Sequence, residues 1–431
     1  MKLREVIAYG TAAIMFAALT ACSSGTSGDK ETGSGAGVAK PSASPSYKSF
    51  AAPTRFSLDE TILLPMSAGV GKSSMAKHPF PVALHNGAVF ISRPDGLDAI
   101  HGYRKSFPVT ITSEHDPMMK LKDAGSGFAA NNPAEAPLIT SFGRKTWVFN
   151  AVVTRVTGAG TAKSHDMVEL MAVDTANAGT KAWFTEIALP DEYPSGDEAE
   201  AYVVGRGGDA IVVYARGQLF GVDLASHQRI WEAAGTYRKG AVIAGDRIVA
   251  MRKNSDSPQI VGLDAASGKD AWTSPRTSQE LSAAGPDAVM TYEKAPNADG
   301  ARNYLLDAAT GAIRNTLPKD APGSDCAYDG AAVTICTDGF VNPKVAAYDP
   351  KTGQELWRLP DTAGTRVAPH VRLVRAGLIY AMANGHPVVL DAASGKDKEN
   401  QPGIAPYITD GYVGITESKD GTGATAYRAV G

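Results

Sequence analysis

The chain has 431 residues, 43% hydrophobic and 20% charged, with a formal net charge of −3 at pH 7 and three cysteines. It has no basic excess to supply the electrostatic attraction on which nucleic-acid binding depends, so no nucleic-acid partner is expected. After a polar N-terminal region about 375 residues remain, more than one ordinary core holds, which points to several domains or to a repeat.

Lys2 and Arg4 open the chain with positive charge, Val6 to Leu19 form a mostly apolar run of 14 residues, and Leu19-Thr20-Ala21-Cys22 comes next. The run is shorter than the roughly 20 residues a helix needs to cross a bilayer, so residues 1–21 read as a cleaved signal peptide. The ending resembles the lipobox of bacterial lipoproteins, which implies that Cys22 becomes a lipidated mature N-terminus. That places the protein outside the cytoplasm, lipid-anchored to the cell membrane. In a cell with two membranes the outer one is a candidate, because Ser23 stands where an aspartate would resemble an inner-membrane retention signal. Removal of Lys2, Arg4 and Glu5 with the signal peptide leaves a mature charge of −4.

Ser23 to Pro53 is Ser, Gly, Ala, Lys and Pro with almost no large apolar side chains, a composition that cannot bury enough surface to order itself. Residues 22–53 therefore read as lipidated cysteine plus flexible tether, with a coil reach of roughly 30 Å. Residues 54–431 form the folded part, beginning with an isolated apolar-rich stretch from Phe56 to Leu64.

Self-similarity dominates this folded part. Asp223-Leu-Ala-Ser-His-Gln-Arg-Ile-Trp231, Asp264-Ala-Ala-Ser-Gly-Lys-Asp-Ala-Trp272 and Asp349-Pro-Lys-Thr-Gly-Gln-Glu-Leu-Trp357 share one phrase. Asp307-Ala-Ala-Thr-Gly311 and Asp391-Ala-Ala-Ser-Gly395 keep the turn, Asp98-Ala-Ile-His-Gly102 keeps its Asp and Gly, and Asp174 leads through Gly179 to Trp183. From Asp174 the steps are 49, 41, 43, 42 and 42 residues, the period of a four-stranded propeller blade. Each Asp closes a unit of alternating apolar residues such as Ala210-Ile-Val-Val-Tyr-Ala215, whose period of two marks strands. Asp accepts hydrogen bonds from backbone N–H groups just ahead, and Gly supplies positive φ, so the phrase is a turn between strands. The Trp then falls on the outer strand, where a flat side chain can pack on the next blade.

The Ala/Gly-x-Asp-x-x-Ser/Thr-Gly-x-x-x-Trp phrase resembles the blade signature of quinoprotein-like (PQQ-like) propellers over about residues 80–431. The resemblance implies an all-β propeller of four-stranded antiparallel blades whose tryptophans dock one blade on another. The fold itself serves quinone-dependent dehydrogenases, envelope-assembly scaffold lipoproteins and sensor domains alike. Gly411 to Thr416 and Ala424 to Ala429 repeat the strand pattern but stop before an outer strand, so Phe56 to Leu64 is expected to supply it and close the ring. Eight blades result; seven is the alternative, because the 76-residue step from Asp98 to Asp174 leaves room for another arrangement.

Within that long step, Thr112-Ser-Glu-His-Asp-Pro-Met-Met119 and Ala129-Ala-Asn-Asn-Pro133 have weak strand pattern and many turn formers, and read as an insertion in a blade. Loops on rigid rings tend to carry binding residues, which makes Glu114, His115, Asp116 and Asn131 candidates for a ligand or partner, the alternative being a solvated loop. Asp191 to Glu200 gathers five carboxylates without the alternating Asp/Asn pattern of a calcium loop and reads as a solvated acidic turn. Cys326 and Cys336 flank Ala327-Tyr328-Asp329-Gly330, a hairpin-like turn that would bring them together as a disulfide; two separate buried thiols are the alternative.

No set of catalytic residues can be named. A quinone-dependent dehydrogenase of this fold would carry adjacent cysteines, and none are present. The eight histidines include no i, i+4 pair and no companion cysteines, so zinc spacing is absent. No cofactor beyond the lipid on Cys22 is expected, neither calcium nor PQQ. Two readings of function remain: a non-enzymatic binding or scaffold protein whose partners are envelope proteins, or a propeller that takes a small molecule or glycan, with or without catalysis, at the mouth of its central channel.

Overall fold

In Ala210–Ala215 all six side chains are buried, but in two directions. Ile211, Val213 and Ala215 enter one apolar cluster, while Val212 and Tyr214 enter the next. A strand buried on both faces belongs to a sheet sandwiched between two others, which is the condition of a blade in a ring.

The computed structural model describes residues 48–69, 80–100, 108–121, 132, 134–190, 200–254, 258–294, 301–323, 325–339, 341–419 and 423–431. Their strands form eight antiparallel sheets, which we number as blades 1 to 8, with strands a to d from the axis outward. Blades 1 to 7 lie within residues 82–112, 116–188, 201–232, 242–277, 280–316, 325–359 and 370–399. Blade 8 combines Ile408–Thr409, Val413–Glu417 and Ala424–Ala429 with the N-terminal Phe56–Leu63 as its strand d. Phe56 pairs with Ala429, Ile62 with Ala426 and Leu63 with Thr425, with a register shift between Phe56 and Thr61. The molecule is thus an all-β, eight-bladed propeller closed by its N-terminal strand, and the seven-blade alternative falls away.

Among the described residues the core divides into eight clusters, one at each junction between neighbouring blades. A buried Val, Leu, Ile or Phe contributes about 1.5–3 kcal/mol, so the junctions rather than the individual sheets hold the ring together.

Alternating strand direction sorts the connections onto two faces. Turns a–b and c–d emerge on one side, the turn face; turns b–c and the links between blades emerge on the other, the connection face. In blade 2, strands b (Lys145–Val156) and c (His165–Asp174) are twice the length of the inner strand Leu138–Phe142. Their extra length projects on the connection side, where the short strand Asp116–Pro117 pairs with Thr154 and Arg155. The extra length of the 76-residue step therefore lies in the link between blades 1 and 2 and in the lengthened strands b and c, not in an insertion within one blade as the sequence suggests, and the link lends a piece of strand to blade 2.

Lys48–Pro53, which composition assigns to the tether, packs on the ring. Phe50 N–H donates to Gly411 O at 3.0 Å, Pro53 is buried, and its carbonyl accepts from Tyr380 Oη at 2.7 Å. Phe50 and Ala52 lean on the junction of blades 7 and 8. The composition of Ser23–Pro53 as a whole hides this end of it, where one aromatic and one proline suffice to dock the chain.

Candidate functional site

The repeated phrase builds a clasp between blades. Asp223 Oδ1 accepts from Ser226 N at 2.7 Å and Ser226 Oγ at 2.7 Å, and Asp391 and Ser394 repeat this at 2.9 and 2.7 Å. In both, the Ser bonds hold the Asp carboxyl below its usual range. Thr310 does the same for Asp307, although there the Arg314 guanidinium is the larger cause. Asp264 accepts from Ser267, Asp349 from the backbone at Lys351 and Thr352, and Asp174 from Ala176 N.

Each Trp reaches across to the next of these turns. Trp231 Nε1 donates to Ala265 O at 3.2 Å, Trp272 Nε1 to Ala308 O at 2.9 Å and Trp357 Nε1 to Ala392 O at 2.9 Å. The turn glycines Gly268, Gly311 and Gly395, at φ between +66° and +71°, lie flat against those rings; a Cβ there would come within 2.5–2.7 Å of ring carbons. On the ring's other side, Gly221 opposes Trp231 and Gly262 opposes Trp272 across strands c and d. A Cβ at either would sit 2.1 Å from the indole, which explains the glycine two positions before Asp223 and Asp264.

Other copies depart from the phrase, three of them with a visible consequence. Asn315 stands at the Trp position of blade 5, and its Nδ2 donates to Gly353 O at 2.9 Å. His227 replaces the turn Gly of blade 3, holds φ at +58°, and stacks on Trp183 with ring centroids 4.1 Å apart and 9° between planes. Trp147 and Phe149 flank Trp183 on its own blade. Asp98 does not head a turn: it lies inside strand c of blade 1, Gly96–Ile100, three residues earlier than the repeat would place it. It is buried there, accepting from Ser67 Oγ at 2.6 Å and Thr110 Oγ1 at 2.6 Å, with Arg93 alongside.

The candidate loop residues occupy the link between blades 1 and 2. From strand d of blade 1 (Val109–Thr112), the chain crosses the blade-1 side of blade 2 from its outer strand to its inner edge. Three contacts steer it. Glu114 N–H donates to Glu169 Oε2 at 2.6 Å, Lys181 Nζ bridges Glu114 at 2.8 Å and Glu169 at 2.7 Å, and His115 Nε2 lies 2.6 Å from Glu186 Oε1. Glu169 is fully buried at an otherwise apolar strand position, so it depends on these two donors. Lys181 also lowers the pKa of Glu114, through its hydrogen bond first and its charge second. Asp116 pairs with Lys120 at 2.9 Å on the surface.

Glu114, His115 and Asp116 thus come together, each on an intramolecular partner, and the set ties the link to blade 2. Asn131 and Cys22 lie outside the described residues. Asn132, one position on from the candidate Asn131, is buried and donates through Nδ2 to Ser67 O at 2.8 Å and Ser92 O at 2.6 Å, joining two interblade links to blade 1. Sequence reading also missed Glu169 and Lys181; the one available signal was a carboxylate at a core-facing position of the run His165–Asp174. Cys326 and Cys336 face each other across strands a and b of blade 6 and are disulfide-bonded. Among the described residues, no group of three or more His, Cys, Asp or Glu could hold a metal ion. Nor is any described helix long and apolar enough to cross a membrane.

Residues 233–427, blades 4 to 8 apart from the N-terminal strand, match the family model described as outer membrane protein assembly factor BamB. The match supports a PQQ-like repeat in these blades. No curated protein sequence matches the chain. Solved structures similar to this propeller include the computationally designed Ika8 protein, at 13% identity over 84% of this chain and 99% of that one, TM-score 0.47. They also include BamB from Moraxella catarrhalis, at 15% identity over 68% and 100%, TM-score 0.31, and the Dos1 propeller, at 10% identity over 86% and 94%, TM-score 0.47.

Proposed function

We propose that the protein is a non-enzymatic binding platform of the cell envelope: a rigid eight-bladed ring, exported, lipidated at Cys22 and held at the membrane outside the cytoplasm, whose loops engage envelope proteins. The observation that carries this reading is the match of residues 233–427 to a family model described as an outer membrane assembly factor. The lipobox-like Leu19-Thr20-Ala21-Cys22 supports the compartment. The blade-2 link favours a positioning role for its charged residues. The Glu114 carboxylate accepts from Lys181, whose ammonium also holds Glu169, the Glu114 backbone N–H donates to Glu169, and His115 Nε2 sits on Glu186, contacts within the chain that position the loop. PQQ and calcium have no part in this function.

The reading is tested by capturing the tagged protein from crosslinked cells and, in parallel, screening the purified ring for thermal stabilisation by sugars and peptides. Reproducible enrichment of envelope proteins is expected. An empty partner list beside a clear small-molecule shift would replace the platform with a ligand-binding propeller.

A further inference from the structure

The first described residues enter the ring at a place that constrains how the protein stands at its membrane. Phe50 is bonded to Gly411, which lies in the a–b turn Asp410-Gly411-Tyr412 of blade 8, beside the axis on the turn face. That turn is itself tied to the a–b turn of blade 1, since Gly87 N–H donates to Asp410 Oδ2 at 2.6 Å. From Phe50 the chain runs outward: Pro53 O accepts from Tyr380, Thr54 N–H donates to Gly431 O at 2.7 Å, and strand d of blade 8 starts at Phe56. The described chain therefore begins, at Lys48, on the inner part of the turn face.

We infer that the turn face, with its Asp-x-x-Ser/Thr-Gly turns, faces the anchoring membrane and the connection face looks away from it. This rests on the anchoring at Cys22 proposed above. Residues 23–47 are 25 residues of mostly Ser, Gly, Ala, Lys and Thr, whose root-mean-square reach as a coil is about 25–30 Å. The route from the inner turns round the rim to the other face is longer. Four strands about 4.8 Å apart and six-residue strands about 20 Å long make it about 40 Å once side chains are added. The tether spans that distance only when stretched, so it biases the ring toward one orientation. The turn face is also built for standing off from a bilayer rather than inserting. Its Asp carboxylates accept from their own turns, as Asp223, Asp264 and Asp391 do from Ser226, Ser267 and Ser394. The connection face, carrying the blade 1–2 link and the exposed Val341 and Val367, is left outward for partners.

The test uses the full lipidated chain in vesicles that contain a headgroup-labelled energy-transfer acceptor. With Cys326 and Cys336 bonded and Cys22 acylated, an introduced cysteine is the one free thiol. A donor dye is placed on Ala225→Cys, in the Asp turn of blade 3, or on Ala363→Cys, in the link between blades 6 and 7; both positions are exposed. Transfer from position 225 at least twofold more efficient than from 363 is expected, and lengthening the tether by about 50 Gly/Ser residues should erase the difference. Equal or reversed efficiencies with the native tether would overturn the orientation. A Cys22→Ser chain run alongside separates the two ways of failing. If it binds the vesicles as well as the wild type, the anchor is wrong and the orientation falls with it; if it does not, the anchor stands and the orientation is judged on the dyes alone.

Discussion

Gly268 and Gly143 show how one residue type meets two different demands. Both hold positive φ, +66° and +62°, but a Cβ at Gly268 would lie 2.5 Å from Trp231, while Gly143 has nothing within 4 Å. Gly143→Ala should cost only the left-handed backbone penalty, about 1 kcal/mol. Gly268→Ala adds overpacking of an interblade clasp, for about 2 kcal/mol more in a denaturant titration. Equal losses would mean that the indole moves aside freely. Glu169 is the residue on which the blade 1–2 link depends. Glu169→Ala leaves Lys181, one-tenth exposed, to the half-exposed carboxylate of Glu114. A loss of about 3 kcal/mol is expected, with faster proteolysis between blades 1 and 2; stability within about 0.5 kcal/mol of wild type would contradict the role given to it.

At the scale of the strand, closure is the decisive event. Phe56–Leu63 completes blade 8 by pairing with Ala424–Ala429, and Phe56 packs on Tyr380 of blade 7 with ring centroids 6.3 Å apart. A chain beginning at Pro65 should lose a single cooperative unfolding transition and aggregate through the open edge of Ala424–Ala429, as followed by calorimetry and light scattering. A monomeric ring with unchanged melting would show the strand to be an accessory. This strand was readable beforehand, because the C-terminal strand pattern stops one strand short and Phe56 to Leu64 is an isolated apolar-rich stretch. The turns were readable as well, since Asp, Ser or Thr, and Gly act within five residues of one another. Asp98 misled, because its agreement with the phrase is limited to an Asp and a Gly, and strand c of blade 1 places it mid-strand. The course of the blade 1–2 link was hidden for a different reason. Its anchors Glu169 and Lys181 lie 55 and 67 residues beyond Glu114, and no local spacing relates them. His227 for glycine was visible as a lost consensus residue, but its stacking on Trp183 depends on a neighbouring blade.

For the whole molecule, the charged groups set how stability responds to pH. Asp166, Asp223, Asp270, Asp307, Asp349 and Asp391 all have carboxyls depressed by hydrogen bonds or by Arg partners. Groups depressed on folding add stability above their unfolded pKa of about 3.9 and lose it as pH falls through the folded values. The melting temperature should therefore change little from pH 8 to 5 and fall steeply below about pH 4. A ring that melts at the same temperature at pH 3 and pH 7 would show that these turns do not couple to folding. In the platform proposed above, the ring acts by being held where its partners are. The most direct test is quantitative mass spectrometry of proteins crosslinked to the ring in intact cells, compared between the wild type and Cys22→Ser produced at equal level. A reproducible set of envelope proteins is expected with the wild type, falling at least fivefold with Cys22→Ser. No enriched envelope protein, or a set indifferent to the loss of Cys22, would contradict an anchored platform.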